Sequence, residues 1–285
     1  MQLGVNVPNF GPGTNPGRLR DWARTVEGLG YDLLMVSDHV AVTPDVAEHY
    51  PAPFYEPFTT LSWLAGITDS IRLGTTVLIA PYRHPLLVAR MAANLNQLSG
   101  GRFVLGLGVG WARQEFEALG VDFKRRGILT DELIREVRVA WQNDADYRSG
   151  DIPIWVGGGS DAGLRRAVRL GDAWHPLRQR VGWMRERLDR LRVIADEEGR
   201  PVPAFAPRIL LRLTPEPLPD DIRVAGEGSI DQVMADLDVL RLLGADTVVL
   251  DPFAGDPAET ERPEYAWKDL ATVAASWTSR GKEQQ

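Results

Sequence analysis

Three short stretches of this chain carry the residue types that chemistry needs. In Val36-Ser37-Asp38-His39 an acid stands beside an imidazole directly after an apolar run. Imidazole has an unperturbed pKa of ~6.5, so His39 can give or take a proton near neutral pH, with Asp38 as its polar neighbour. Spacing alone also allows a helix-capping Asp and a surface His at these positions. In Leu105-Gly106-Leu107-Gly108-Val109-Gly110-Trp111, glycines alternate over a strand end, where backbone must come close to something. Core packing explains Gly106 nearly as well as a ligand does. For Gly108 and Gly110 the reading favours a ligand. In Gly157-Gly158-Gly159-Ser160-Asp161, three glycines and a hydroxyl lead into a helical pattern over 162–170, whose first N–H groups suit a phosphate. Gly157-x-Gly159-x-x-Ala162 loosely imitates a dinucleotide fingerprint. It lacks the acid that should end a following strand ~20 residues on, since Asp172 comes too early.

The remaining histidines rank below His39. His175 follows a short strand in Asp172-Ala173-Trp174-His175 and is expected to line a substrate pocket with Asn9 and Trp111. His84 suits a role at a helix N-terminus. His49 lies in a Pro-rich stretch, 42–57, that reads as a lid or substrate loop. No histidines and carboxylates share metal-ligand spacing, so no metal is expected.

Such residues need a scaffold that brings strand ends together, and the chain alternates strand and helix patterns throughout. Strands read at 3–7, 32–37, 71–79, 103–109, 152–156, 172–174, 209–213 and 247–250. Between them, Leu19, Trp22, Ala23, Val26 and Leu29 recur at helical spacing, with Gly30 as the stop. Further helices read at 58–68, 85–98, 112–120, 131–141 and 162–170, and another follows from Met184, Leu188, Leu191 and Ala195. Ser229 and Gln232 open one more with a capping box, and a last helix spans 265–277. Eight strands with intervening helices in a chain of 285 residues, near the ~250 typical of such barrels, predict an α/β fold, the (β/α)8 TIM barrel. A doubly wound sheet shares the alternation, but the strand count favours the barrel. The three chemical stretches then fall at the C-terminal ends of the second, fourth and fifth strands, where such barrels hold their sites. No linker or composition break interrupts the chain, so residues 1–285 read as one domain, with 279–285 a polar, frayed tail.

Composition narrows the function classes. A net charge of −7 argues against nucleic acid as a partner. No stretch approaches the ~18–20 apolar residues of a membrane span, and the N-terminus has no signal-peptide pattern. The absence of cysteine removes disulfides, thiolate metal sites and cysteine nucleophiles, and it fits a cytoplasmic location. In the 85–98 segment Leu86, Leu87, Val88, Ala89, Met91, Ala92, Ala93 and Leu95 cover more of the helix than one buried stripe requires. It is read either as packing against a second copy in a two-fold homodimer or as sandwiched between barrel neighbours.

Taken in order, these motifs resemble the luciferase-like monooxygenase superfamily, and its coenzyme F420-dependent oxidoreductase branch most closely. Besides the stretches above, the resemblance is carried by Leu73-Gly74-Thr75-Thr76-Val77, Arg83-His84-Pro85, Leu98-Ser99-Gly100-Gly101-Arg102, Glu115-Phe116, Ile152-Pro153-Ile154-Trp155-Val156 and Gly171-Asp172-Ala173-Trp174. It is dense over 3–175. It implies a luciferase-like barrel whose third strand bulges at a non-prolyl cis peptide, here Thr76–Val77, which supports the deazaflavin ring. It further implies that Asp38 and His39 serve the reacting ring, and that Gly108, Val109, Gly110, Trp111, Gly157, Gly158, Gly159 and Ser160 hold the cofactor, largely at its phosphates.

The activity implied is hydride transfer between coenzyme F420 and a small organic substrate, with His39 as proton donor or acceptor. The alternative is an FMN-dependent monooxygenase that takes reduced flavin from a separate reductase. A flavin-carrying barrel without catalysis is a third reading, against which the Asp38-His39 pair argues. Two departures from the family matter. Trp111 occupies the place of the catalytic glutamate of the sugar-phosphate dehydrogenases, which points to an apolar or aromatic substrate. The link 142–151 is short and polar, which predicts a pocket more open on that side.

Overall fold

Buried, largely apolar runs pair in parallel around a ring. In the computed structural model, which describes residues 1–143 and 151–283, the strands are β1 (Gln2–Asn6), β2 (Leu33–Val36), β3 (Arg72–Thr75), β4 (Leu78–Ile79), β5 (Phe103–Gly108), β6 (Ile154–Gly157), β7 (Ala173–His175), β8 (Ala204–Phe205), β9 (Arg208–Leu210), β10 (Arg212–Leu213), β11 (Glu227–Gly228) and β12 (Thr247–Asp251). The order β8-β7-β6-β5-β3-β2-β1-β12-β9 closes on itself, because β8 and β9 are two pieces of one chain run. β3 and β4 are likewise one run, broken at Thr76–Val77, and β4 continues the pairing with β5. The eight runs make the barrel.

The helices are α1 (Pro16–Gly28), α2 (Pro44–Ala47), α3 (Pro57–Ala65), α4 (Pro85–Leu98), α5 (Arg113–Ala118), α6 (Arg126–Asn143), α7 (Asp161–Leu170), α8 (Val181–Glu198), α9 (Ile230–Leu242) and α10 (Pro263–Glu283). Alternation sorts the strand side chains: Leu33, Met35, Val104, Trp155 and Val249 pack inside the barrel, while Leu34, Val36, Leu105 and Val248 meet the helices. The expected stripe Leu19, Trp22, Ala23, Val26 is the buried face of α1, and the Ser229–Gln232 capping box forms as read. No helix among the described residues is long and apolar enough to cross a membrane.

One strand differs from the sequence reading. The seventh run spans 204–210, not 209–213, and β10 pairs aside with β11. Pro203 precedes this run and Pro207 interrupts it, which weakens its strand signal in the sequence. Pro207, however, contributes only its carbonyl, which accepts from the Val249 amide, and needs no N–H. α4 packs between α3 and α6, with Leu86, Leu87 and Leu98 facing outward. The link 142–151 falls mostly on residues 144–150, which lie outside the described residues, as do 284 and 285.

Candidate active site

A cleft of about 250 Å³ opens at the C-terminal end of the barrel. Asp38, His39, Thr76, Val77, Gly108, Val109, Gly110, Trp111, Gly157, Gly158 and His175 all line it, from five different strand ends. Gly159, Ser160 and Asn9 stand outside this lining. Ser160 caps α7 by accepting from the Gly163 amide, and Asn9 is fully buried. The Asn9 side chain clasps the strand end that carries the acid and histidine: it donates to Ser37 O (2.8 Å) and Tyr55 O (2.6 Å) and accepts from Ser37 N (3.0 Å).

His39 leaves β2 with one ring edge spoken for. Its Nδ1 lies 2.7 Å from Oε2 of Glu115, a residue wholly buried at the start of α5. Glu115 also accepts from the Val40 amide (2.6 Å), the Ala41 amide (3.0 Å) and the Tyr82 hydroxyl (3.0 Å). Burial alone would raise the Glu115 carboxyl, but His39 and the two backbone amides hold it below its ordinary value. It is therefore a carboxylate at neutral pH. Three aromatic rings surround the imidazole: Tyr50 at 5.3 Å, Phe54 at 5.4 Å and Trp111 at 5.7 Å between centroids. Tyr50 and Phe54 come from the 42–57 loop, which folds back over the cleft.

Asp38 is engaged differently. Both of its oxygens meet Arg83, at 2.7 and 2.9 Å, and Oδ2 also accepts from the Ile79 amide at 2.8 Å. Burial holds its carboxyl above the ordinary value, and Arg83 and the Ile79 amide offset this only in part. Its visible work is to tie the end of β2 to β4. His84 caps α4, accepting from the Leu86 amide.

The floor is the bulge at Thr76–Val77, whose peptide bond is cis. Thr76 is held on every side. Its amide donates to Val36 O, its carbonyl accepts from Arg208 Nη1 at 2.7 Å, and its hydroxyl lies 2.8 Å from His175 Nε2. His175 is buried, which pushes its pKa down to about 4, so its ring is neutral. Nδ1 donates to Ala206 O and Nε2 accepts from Thr76, leaving no ring nitrogen for substrate. Arg208 is anchored in turn by Asp251, to which Arg178 and Asn6 also donate. Burial would raise the Asp251 carboxyl, yet Arg208 and Arg178 hold it below its usual range.

The glycines were read as making room for a ligand, and the protein itself explains two of them. A Cβ at Gly108 would collide with Val77, and one at Gly110 would lie 2.7 Å from Ile79 and 2.8 Å from Phe116. Gly106 is barred by the Thr75 carbonyl, as core packing predicts. Gly157 is different, since a Cβ there meets only ordinary neighbours, with Val77 at 3.4 Å.

Sequence reasoning did not assign Glu115, Arg208, Asp251 or Tyr50 to the site. A signal existed for the first three. Arg208 and Asp251 are lone charges in otherwise apolar strand runs, and such charges must find each other. Glu115 is an acid at a position the barrel buries, four residues beyond Trp111.

The luciferase-like monooxygenase family model matches residues 1–245. An F420-dependent glucose-6-phosphate dehydrogenase of Kineococcus radiotolerans is 30% identical over 179 residues, covering 56% of this chain and 52% of that protein. Among solved structures, an F420-dependent secondary alcohol dehydrogenase in complex with an F420-acetone adduct aligns with a TM-score of 0.76 at 16% identity, over 95% of this chain and 98% of that one. The oxygenating constituent of 3,6-diketocamphane monooxygenase from Pseudomonas putida, in complex with FMN, aligns with a TM-score of 0.74 at 17% identity, over 96% of each chain. At these identities the structural likenesses speak for the fold.

Proposed function

The chain belongs to the luciferase-like monooxygenase family, and from that premise we propose that it is an F420-dependent oxidoreductase in which His39 moves a proton to or from a small apolar or aromatic substrate. The observation that carries this reading is the imidazole, backed by a buried carboxylate and facing a cleft floored by the Thr76–Val77 bulge. A deazaflavin, when bound, supplies the hydride chemistry that no side chain provides.

The residues present fit such a group. Val77 stands between Gly108 and Gly157, so that part of the wall is a low apolar shelf suited to a flat ring. Gly158, exposed and at φ +109°, continues that wall towards the N-terminus of α7, where Ser160 caps the helix and Arg187 and Arg190 pair with Asp161. Arg208 keeps the bulge in place from below. Trp111, Tyr50, Val109 and Leu177 make the rest of the lining mostly apolar, which suits a substrate without phosphate.

The same shelf accommodates FMN, and the two-component monooxygenase with a separate reductase is the second reading. Titration of the purified protein with F420 and with FMN, followed by absorbance and fluorescence, separates them. Saturable binding of F420, with FMN binding at least about tenfold weaker, is the expected result. Tight binding of FMN alone would replace the first reading with the second.

Gly157→Val tests the shelf. Its Cβ would meet Val77 at 3.4 Å and the Leu107 and His175 carbonyls at 3.5 and 3.8 Å, all ordinary contacts, so the barrel should keep its far-UV spectrum and melting temperature. Cofactor affinity should fall by about tenfold or more, roughly 1.4 kcal/mol. Unchanged affinity would remove the shelf from the cofactor's site.

We further propose a homodimer through the outer face of α4, where Leu86, Leu87 and Leu98 are 46%, 52% and 67% exposed. A monomer mass by light scattering at micromolar concentration would refute it.

A further inference from the structure

We propose that Glu115 is a positioning residue that sets the tautomer of His39, so that the neutral imidazole carries its proton on Nδ1 and presents an unprotonated Nε2 to the cleft, where it can accept a proton. The inference deepens the reading of His39 given above and rests on it for its catalytic meaning.

The geometry supports it in three steps. Glu115 Oε2 lies 2.7 Å from His39 Nδ1, and a carboxylate only accepts, so the proton of the neutral ring must sit on Nδ1. The carboxylate is itself fully committed. Two backbone amides converge on Oε1, and the Tyr82 hydroxyl shares Oε2 with the imidazole. Because Val40 and Ala41 are the residues just after His39, the same carboxylate fixes the backbone that carries the ring. Nε2, on the other edge, has no hydrogen-bond partner among the described residues, and His39 lines the cleft.

The proton transfer then balances simply. A substrate hydroxyl gives its proton to Nε2, the Nδ1 proton stays where it is, and the resulting imidazolium faces the Glu115 charge. In the opposite direction the imidazolium returns the Nε2 proton to the substrate oxygen. Asp38, held at both oxygens by Arg83 and the Ile79 amide, is not needed for this step.

The chain has only four histidines, so 15N spectra of histidine-labelled protein can be assigned by comparison with His39→Ala. In the unsubstituted protein, at a pH where the ring is neutral, His39 should show a protonated Nδ1 and a bare Nε2. A protonated Nε2 there would overturn the proposal without any variant. In Glu115→Gln the amide oxygen can still accept from Val40 and Ala41, while the amide NH2 turned to His39 donates. The tautomer should therefore reverse. Retention of the Nδ1 proton in a folded Glu115→Gln protein would also overturn it.

Turnover gives the second readout. Exchanging an orienting carboxylate for an amide traps the wrong tautomer and lowers kcat by up to about 10⁴-fold where this arrangement is catalytic. Glu115→Gln should lose about 10²–10⁴-fold in kcat, with cofactor affinity within a few fold. If the tautomer reverses while both Glu115→Gln and His39→Ala turn over normally, the positioning role stands and the proton-handling role of His39 falls.

Discussion

His39→Ala is expected to lower kcat by about 10²–10⁴-fold, the usual contribution of a positioned acid–base group. Cofactor affinity should change by no more than a few fold. The shelf at Val77 and Gly157 and the end of α7 do not depend on the imidazole, and Tyr50, Phe54 and Trp111 still enclose the space it leaves. Steady-state turnover on an accepted substrate, paired with a cofactor titration of the same variant, checks both halves. Near-normal kcat would make His39 a pocket wall. The proton would then have to come from solvent or from a lining group other than His175, whose ring has both nitrogens occupied and is held neutral. A large loss of cofactor affinity instead would mean that the ring binds more than it catalyses.

Asp251→Ala should produce the largest loss of stability. The carboxylate is fully buried and receives Arg208, Arg178 and Asn6. Its removal leaves two guanidinium groups without their counter-charge, and breaking such a buried arrangement by deleting one partner costs about 3–5 kcal/mol. Urea denaturation should show a lower midpoint with an unchanged slope. Because Arg208 also holds the Thr76 carbonyl, cofactor affinity should weaken in the same variant. A change below about 1 kcal/mol would mean that the network is not what fixes the floor.

The same floor sets an acid limit. His175 has a folded-state pKa of about 4 against an ordinary 6.5, so its contribution is whole above pH 6.5 and is lost as the pH falls through about 4. Asp251 is held low rather than high, so its contribution is whole above the ordinary carboxylate value, near ~4, and fades only as the pH drops below that. The melting temperature should therefore decline from about pH 6.5 downward, in two overlapping stages. In His175→Gln the first stage should flatten, and an unchanged profile would remove His175 as its cause.

Much of this protein can be read along the chain. Period-2 and period-3.6 patterns are local, so most of the eight runs, most helices and the cap at Ser229 follow from neighbours in sequence. The Thr76–Val77 bulge and the Asp38-His39 pair were legible for another reason. They sit in short motifs whose order matches a known family, although the periodicity of 71–79 carries no sign of a bulge. The seventh strand was misplaced because Pro207 interrupts its pattern, and only the fold shows the Val249 amide donating to the Pro207 carbonyl.

What each polar residue does was decided elsewhere, by partners far away in sequence. Glu115 meets His39 across 76 residues, Arg208 meets Asp251 across 43 and reaches Thr76 across 132. A buried charge must be compensated wherever the barrel brings an opposite one, and no local pattern records which one that will be. Gly108 shows the same limit from the side of shape. Its spacing announced that something would come close, but only the closed barrel shows that the visitor is Val77 of this chain.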